Sequence, residues 1–205
     1  GTPNFSQGTI SGGDTGVSVG GSFAAAAFDN ISVNSASDAG FEIAGSATST
    51  FSDISSSGSP YGILIGNGAN GNVDFNNVDI DGSTNAGVYY LKNLKGALSG
   101  SITNTTGPAV KYGPATDADL SWTGMSLATN AVGIENGGTG TLTFTDSTFA
   151  NTKDITIPGS GTVNFVEGTI DSSSVEVTGQ GMYNRMRALD VSVKADNNSV
   201  SGTNV

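Results

Sequence analysis

Phe28-Asp-Asn-Ile-Ser-Val33, Phe75-Asn-Asn-Val-Asp-Ile80 and Trp122-Thr-Gly-Met-Ser-Leu127 are one phrase written three times. A ring is followed by two polar residues, then by apolar, polar, apolar. Those last three alternate as a strand with one buried face does. The ring returns at a nearly fixed interval. Phe5, Phe28, Phe51 and Phe75 lie 23, 23 and 24 residues apart, and Trp122, Phe144 and Phe165 follow at steps of 22 and 21. The gap from Phe75 to Trp122 is 47 residues, two steps, and the missing anchor falls near Leu98 and Ser99. Self-similarity at such a period is the signature of a stacked repeat architecture.

Each unit reads as three short strands and three turns. The second polar position of the phrase holds Asn30, Asp53, Asn77, Gly124 and Asp146. These residue types tolerate the left-handed backbone region and let a chain turn a corner in few residues. Gln7 and Glu167 stand at the same position, which predicts a different corner in their repeats. A second strand follows, as in Phe41-Glu-Ile43, Ile63-Leu-Ile65, Val88-Tyr-Tyr90 and Val110-Lys-Tyr112, mostly entered or left through glycine. A third leads into the next ring, as in Gly140-Thr-Leu-Thr-Phe144. Three strands cannot bury their inner faces alone. Stacking lets each pair in parallel with its equivalent one coil along, so about eight coils at ~4.8 Å make a rod roughly 35–40 Å long. All seven rings are then expected in one buried column. Helix is excluded because Gly, Asn, Ser and Thr interrupt every stretch long enough to form one.

The aromatic-x-[Asn/Asp/Gly]-apolar-x-apolar phrase, the three-strand coil and the 21–24 residue period resemble the right-handed parallel β-helix, the pectin-lyase-like solenoid. The resemblance covers nearly the whole chain and implies an all-β fold, a β-solenoid of about eight three-strand coils. That family includes polysaccharide lyases and hydrolases, and also adhesins, phage tailspikes and inert spacers. A single domain is expected over residues 1–193, with residues 194–205 a polar tail or linker. Met182-Tyr-Asn-Arg-Met-Arg187 breaks the style of the repeat and reads as the last coil adapting to an end or junction, since solenoid ends expose a core.

The bulk numbers exclude several classes. The 205 residues carry 18 acids against 7 bases, a net charge of −11, which argues against nucleic acid and anionic membrane surfaces. There is no cysteine and no histidine, hence no disulfide, thiolate zinc site or Ser/His triad. No apolar run approaches a spanning helix, so membrane insertion is not expected. The chain opens with neither methionine nor a signal segment and reads as a piece of something longer, placed outside the cell or at its surface.

The enzymes of the resembling family carry acids, often with a base, where neighbouring coils bring them together on an outer sheet. The outward columns here are therefore decisive. On the first strand the column reads Thr9, Ser32, Ser55, Asp79, Thr103, Ser126, Thr148, Thr169, Ser192, with one carboxylate and no base. On the second it reads Ser18, Glu42, Leu64, Tyr89, Lys111, Gly133, Thr156, Glu176. Glu42 and Lys111 fall three coils apart, roughly 14 Å at the strand spacing, too far for paired acid–base work. On the third it runs Ala27, Thr50, Asp74, Ser99, Ser121, Thr143, Asn164. No column offers the adjacent acids a calcium-dependent lyase would need, so neither a catalytic residue nor a cofactor is assigned.

Asp79-Ile-Asp81-Gly82 resembles half of a calcium loop, which an Asp-Gly turn explains equally well. The Ser/Thr column has the regularity of an ice-binding face, and reads more simply as a polar ladder that satisfies itself. Asn4, Asn30, Asn104 and Asn197 each open a glycosylation sequon. The best candidate binding surface is Leu64, Tyr89 and Lys111, expected to project outward in adjacent coils near Lys92 and Lys95. A carbohydrate or a cell-surface protein is the partner such a patch would suit. The role expected is a non-catalytic module that spaces, adheres or assembles, with a polysaccharide-binding or degenerate lyase-like domain as the alternative.

Overall fold

The computed structural model describes residues 4–187, 192–195 and 198–201; for 23–25 and the last two segments only the backbone is described. The chain is a parallel β-solenoid of about eight coils. Two eight-stranded sheets run the length of the stack, and a four-stranded sheet lines its later part. The only helical turn among the described residues is a single 3-10 turn at Ser172–Ser174.

The register follows the repeat. Phe5 pairs with Phe28, Phe28 with Phe51, Phe51 with Phe75, and Phe75 with Leu98, which takes the place of the missing ring. In the third sheet Trp122 pairs with Phe144 and Phe144 with Phe165. Six of the seven rings are buried. Phe5 is the exception, 48% exposed: it lies on an edge strand, and among the described residues its ring neighbour is Phe28, 5.1 Å away.

The corners also follow the phrase, with two corrections. Asn30, Asp53, Asn77, Gly124 and Asp146 have φ between 50° and 71°. Gln7 (φ 61°) and Glu167 (φ 58°) are left-handed at the same position, against the expectation of a different corner for Gln7. The corner does vary after Glu167, where Gly168 (φ 80°) is left-handed too, and in the Leu98 coil, where Gly100 (φ 121°) makes the turn. The stack dictates the left-handed residue: the ladders on both sides of the corner fix the strand directions, and the cost of a non-glycine residue there, about 1–2 kcal/mol, is small beside them. A second left-handed corner, unread in the sequence, recurs at Ser35, Gly58, Gly82, Asn104 and Thr129.

Where the second strand begins, Gly16, Gly40, Gly62, Gly87 and Gly133 form a column interrupted by Ala109 and continued beyond Gly133 by Asp154. A Cβ on Gly62 would sit 2.6 Å from the carbonyl oxygen of Gly87 and 2.5 Å from Ile80 Cγ2. Glycine is needed here for close approach between coils, not for φ. Gly133 thus belongs to this buried column and not to the outward one where the sequence reading placed it.

The last coil lies at Met182–Met186, paired in parallel with Thr162–Val166 so that Arg185 takes the ring position beside Phe165. Met182 and Met186 are exposed, as an end of the stack requires. Beyond it, Ser192–Ala195 and Asn198–Ser201 pair antiparallel.

Candidate functional site

The outward face of the second sheet is one ladder, Ser18–Glu42–Leu64–Tyr89–Lys111–Glu135–Thr156–Glu176, each residue one coil from the next. Leu64, Tyr89 and Lys111 are therefore adjacent, as expected. Their exposure differs from expectation. Leu64 is only 8% exposed and offers little contact surface, whereas Tyr89 and Lys111 are half-buried.

Tyr61 fills the place that Leu64 was expected to hold. Its ring stacks on Tyr89 with centroids 5.7 Å apart and is itself half-buried. Lys111 Nζ lies 5.5 Å from the centroid of the Tyr89 ring, within cation–π range, and 2.9 Å from Glu135 Oε1. Burial pulls the Lys111 pKa down, but the Glu135 hydrogen bond and charge, with the two tyrosines, outweigh it and leave it above the ordinary lysine value. The patch is thus two tyrosine faces closed on one side by an ion pair. Lys92 and Lys95 are exposed in the following loop and make no ion pair among the described residues.

The first sheet carries hydroxyls and acids that bond one another across coils. Ser55 Oγ donates to Ser32 Oγ at 2.8 Å, Ser57 to Asn34 at 2.8 Å, and Ser101 to Asp79 at 3.0 Å. The partner of Asp79 is Ser101 and not Thr103, which donates to Asp81 instead at 2.9 Å. The reason is local. The ring-to-column offset of four residues, as from Phe75 to Asp79, shrinks to three from Leu98 to Ser101, because the corner at Ser99–Gly100 is one residue short. That shift also takes Ser99 out of the third-strand column, and its Oγ accepts from the backbone of Asn77.

Asp79 and Asp81 therefore present oxygens already engaged by neighbours one coil along, Asp81 also accepting from Asn104 Nδ2 at 2.6 Å. Among the described residues no three His, Cys, Asp or Glu side chains gather as a metal set. Of the sequon asparagines, Asn4, Asn30 and Asn104 are exposed, the latter two in left-handed corners, and Asn197 lies outside the described residues. The corner between the third and first strands is a shallow trough along the stack, lined by Asn30, Asp53 and Asn77 with Ser32, Ser55 and Asp79. Within it Asn77 donates to Asp53 at 2.6 Å.

An inward polar column escaped the sequence reading. Ser59, Ser83, Thr105, Asn130 and the half-buried Asn151 follow the second corner at steps of 24, 22, 25 and 21 residues. Asn130 Nδ2 donates to Ile102 O (2.9 Å) and Asn151 Oδ1 (2.8 Å), and Asn130 Oδ1 accepts from the backbone of Thr105 (2.9 Å). The column ends on Asp154, 1% exposed, whose carboxylate accepts from Asn151 N and Nδ2, Ser174 Oγ and Asp171 N at 2.8–3.2 Å. Asp154 occupies the glycine column, at the place equivalent to Gly133. A buried carboxyl group persists only where several donors satisfy it, as they do here.

Compared with known proteins, the chain matches no family model, no curated protein and no solved structure.

Proposed function

We propose that this chain is a non-catalytic extracellular or cell-surface module, a rigid element of the pectin-lyase-like kind that spaces, adheres or assembles. The observation that carries the reading is the direction in which its outward side chains spend their hydrogen bonds. Ser18 with Glu42, Ser32 with Ser55, Asp53 with Asn77, Asp79 with Ser101, and Asn164 with Asn184 all bond along the axis of the stack, from coil to coil. Lys111–Glu135 and Lys153–Glu176 do the same with charge. Such bonds stiffen a rod against bending and shear, and they occupy the carboxylates that acid–base chemistry would need free. The test is incubation with acidic and neutral polysaccharides, with and without calcium. The expected outcome is no new chain ends; products that vanish on Asp79→Asn or Glu42→Gln would overturn the reading.

A carbohydrate-binding role is supported by one separate observation, the stacked Tyr61 and Tyr89 rings beside Lys111. Flat aromatic faces next to hydrogen-bonding groups suit the apolar face of a sugar ring. Should a glycan array give a ligand, Tyr89→Ala is expected to weaken it most. Binding that survives Tyr89→Ala unchanged would remove the patch while leaving the module reading in place.

A further inference from the structure

We propose that Asn67 is a site of spontaneous deamidation, set apart by the fold from the chain's two other Asn-Gly pairs, Asn70-Gly71 and Asn136-Gly137. Asn67-Gly68 forms the tip of the turn between Tyr61–Ile65 and Asn70–Asp81, closed by Ala69 N donating to Gly66 O at 3.0 Å. Both tip residues are exposed. Among the described residues, neither the Asn67 side chain nor the Gly68 amide has a hydrogen-bond partner, so the side chain is free to rotate onto the following nitrogen.

The other two pairs are held. Asn136 is fully buried, and its Nδ2 donates to Gly140 O and Thr162 O at 3.3 Å each. Its Oδ1 accepts from Gly138 N at 3.2 Å, and the Gly137 amide is bonded to Tyr112 O at 2.8 Å. Loss of that amide would strand two carbonyls in the core, and the attacking nitrogen cannot turn. Asn70 and Gly71 sit in a strand paired with Ser46 and Ala47, and the Gly71 amide points its proton at Asn70 Oδ1, 2.8 Å away.

The chemistry needs only water. The Gly68 backbone nitrogen gives up its proton and attacks Asn67 Cγ. The N–Cγ bond forms, the Cγ–Nδ2 bond breaks, and ammonia leaves with that proton. Water then opens the cyclic imide at either carbonyl, giving aspartate or isoaspartate. Either product adds a negative charge to a chain already at −11. The isoaspartate also adds a backbone methylene to a turn with no slack, since a Cβ on Gly68 would lie 2.3 Å from Ala44 O in the coil before.

The test is to age the folded chain in mildly alkaline buffer and follow each pair by peptide mapping with enzymatic isoaspartate labelling. Asn67 is expected to convert at least about tenfold faster than Asn70 or Asn136, the rates converging once denaturant removes the fold. An acidic isoform should accumulate on isoelectric focusing and be missing from Asn67→Gln, whose circular dichroism should match the parent. Conversion of Asn136 or Asn70 in the folded chain as fast as Asn67 would overturn the proposal. So would an Asn67 that stays intact when folded yet converts when unfolded.

Discussion

The first coils and the last coils carry the same ring in the same phrase and pack it in two different ways. Phe28, Phe51 and Phe75 lie face to face, 4.4 and 5.0 Å apart, with planes within 22°. Trp122 and Phe144 meet edge to face at 62°, and Phe149 wedges between Phe144 and Phe165 at 74° and 67°. The backbone differs with them. In the first half two coils carry both sides of the corner on one long strand, Ser22–Asn34 and Asn70–Asp81, while the coil between them divides into Ser46–Ser52 and Ser55–Ser57. In the second the corner divides two short strands, Leu120–Thr123 and Met125–Ala128. An added ring at Phe149, where the equivalent inward positions hold Ile80, Ile102 and Leu127, meets both Phe144 and Phe165 edge-on. A period in sequence therefore fixes which residue is inside, while its neighbours decide how it lies.

The largest expected effect tests whether both packings hold the fold equally. Phe51→Ala and Phe144→Ala should each cost about 3–5 kcal/mol in denaturant titration. Phe5→Ala, at an exposed stack end, should cost about 1 kcal/mol or less. A Phe144→Ala cost near that of Phe5→Ala would mean that the edge-on arrangement is incidental.

Next in size is Asp154→Ala, which leaves the backbone amides of Asn151 and Asp171 without an acceptor and takes one of two acceptors from Asn151 Nδ2 and Ser174 Oγ. A cost of about 2–4 kcal/mol is expected, localised by hydrogen exchange to the last coils. A change spread evenly over the stack would contradict the assigned role.

Between the two ring arrangements, Tyr90 and Tyr112 give the seam a pH signature. Burial pushes the Tyr112 phenol up to about 12, with the hydroxyl donating to Ala118 O at 2.6 Å. Burial likewise raises Tyr90, with the neighbouring Tyr112 adding to it. The unfolded chain ionises these phenols near 10, so their contribution is fully present below pH 10 and is lost as pH rises through the folded values. Lys111, also raised, gives up its ion pair with Glu135 in the same alkaline window. Stability followed by circular dichroism should be flat with respect to these groups up to about pH 10 and fall above it. Tyr90→Phe with Tyr112→Phe should flatten the fall.

The smallest effect belongs to the outer ladder. Ser55→Ala gives up one half-buried bond to Ser32 and should cost well under about 1 kcal/mol. A loss as large as that from a ring would invert the assignment of inside and outside.

The sequence made much of this legible because ring and corner residue recur on one short phrase. What it hid depended on lengths within a coil. The short corner at Ser99–Gly100 moved Ser101 into the place given to Thr103, and the long step from Thr105 to Asn130 put Glu135 in the place given to Gly133. The inward polar column was illegible because Ser, Thr and Asn look the same in sequence whether they face water or the interior. Of the candidate patch, the order Leu64, Tyr89, Lys111 was readable from the strand period. The burial of Leu64 and the stacking of Tyr61 were not, since both depend on how the coils sit side by side.

Two unlike packings form one continuous stack, joined where Leu98 replaces a ring. There Tyr90, from the second sheet, supplies the missing aromatic and stacks on Trp122 with centroids 5.7 Å apart. The most direct test follows denaturant unfolding with two probes at once, Trp122 fluorescence for the later coils and hydrogen exchange of the Phe28–Phe75 strands for the earlier ones. One coincident transition is predicted for the parent chain, splitting into two when Tyr90→Ala removes the joint. Two separate transitions in the parent chain itself would contradict the claim.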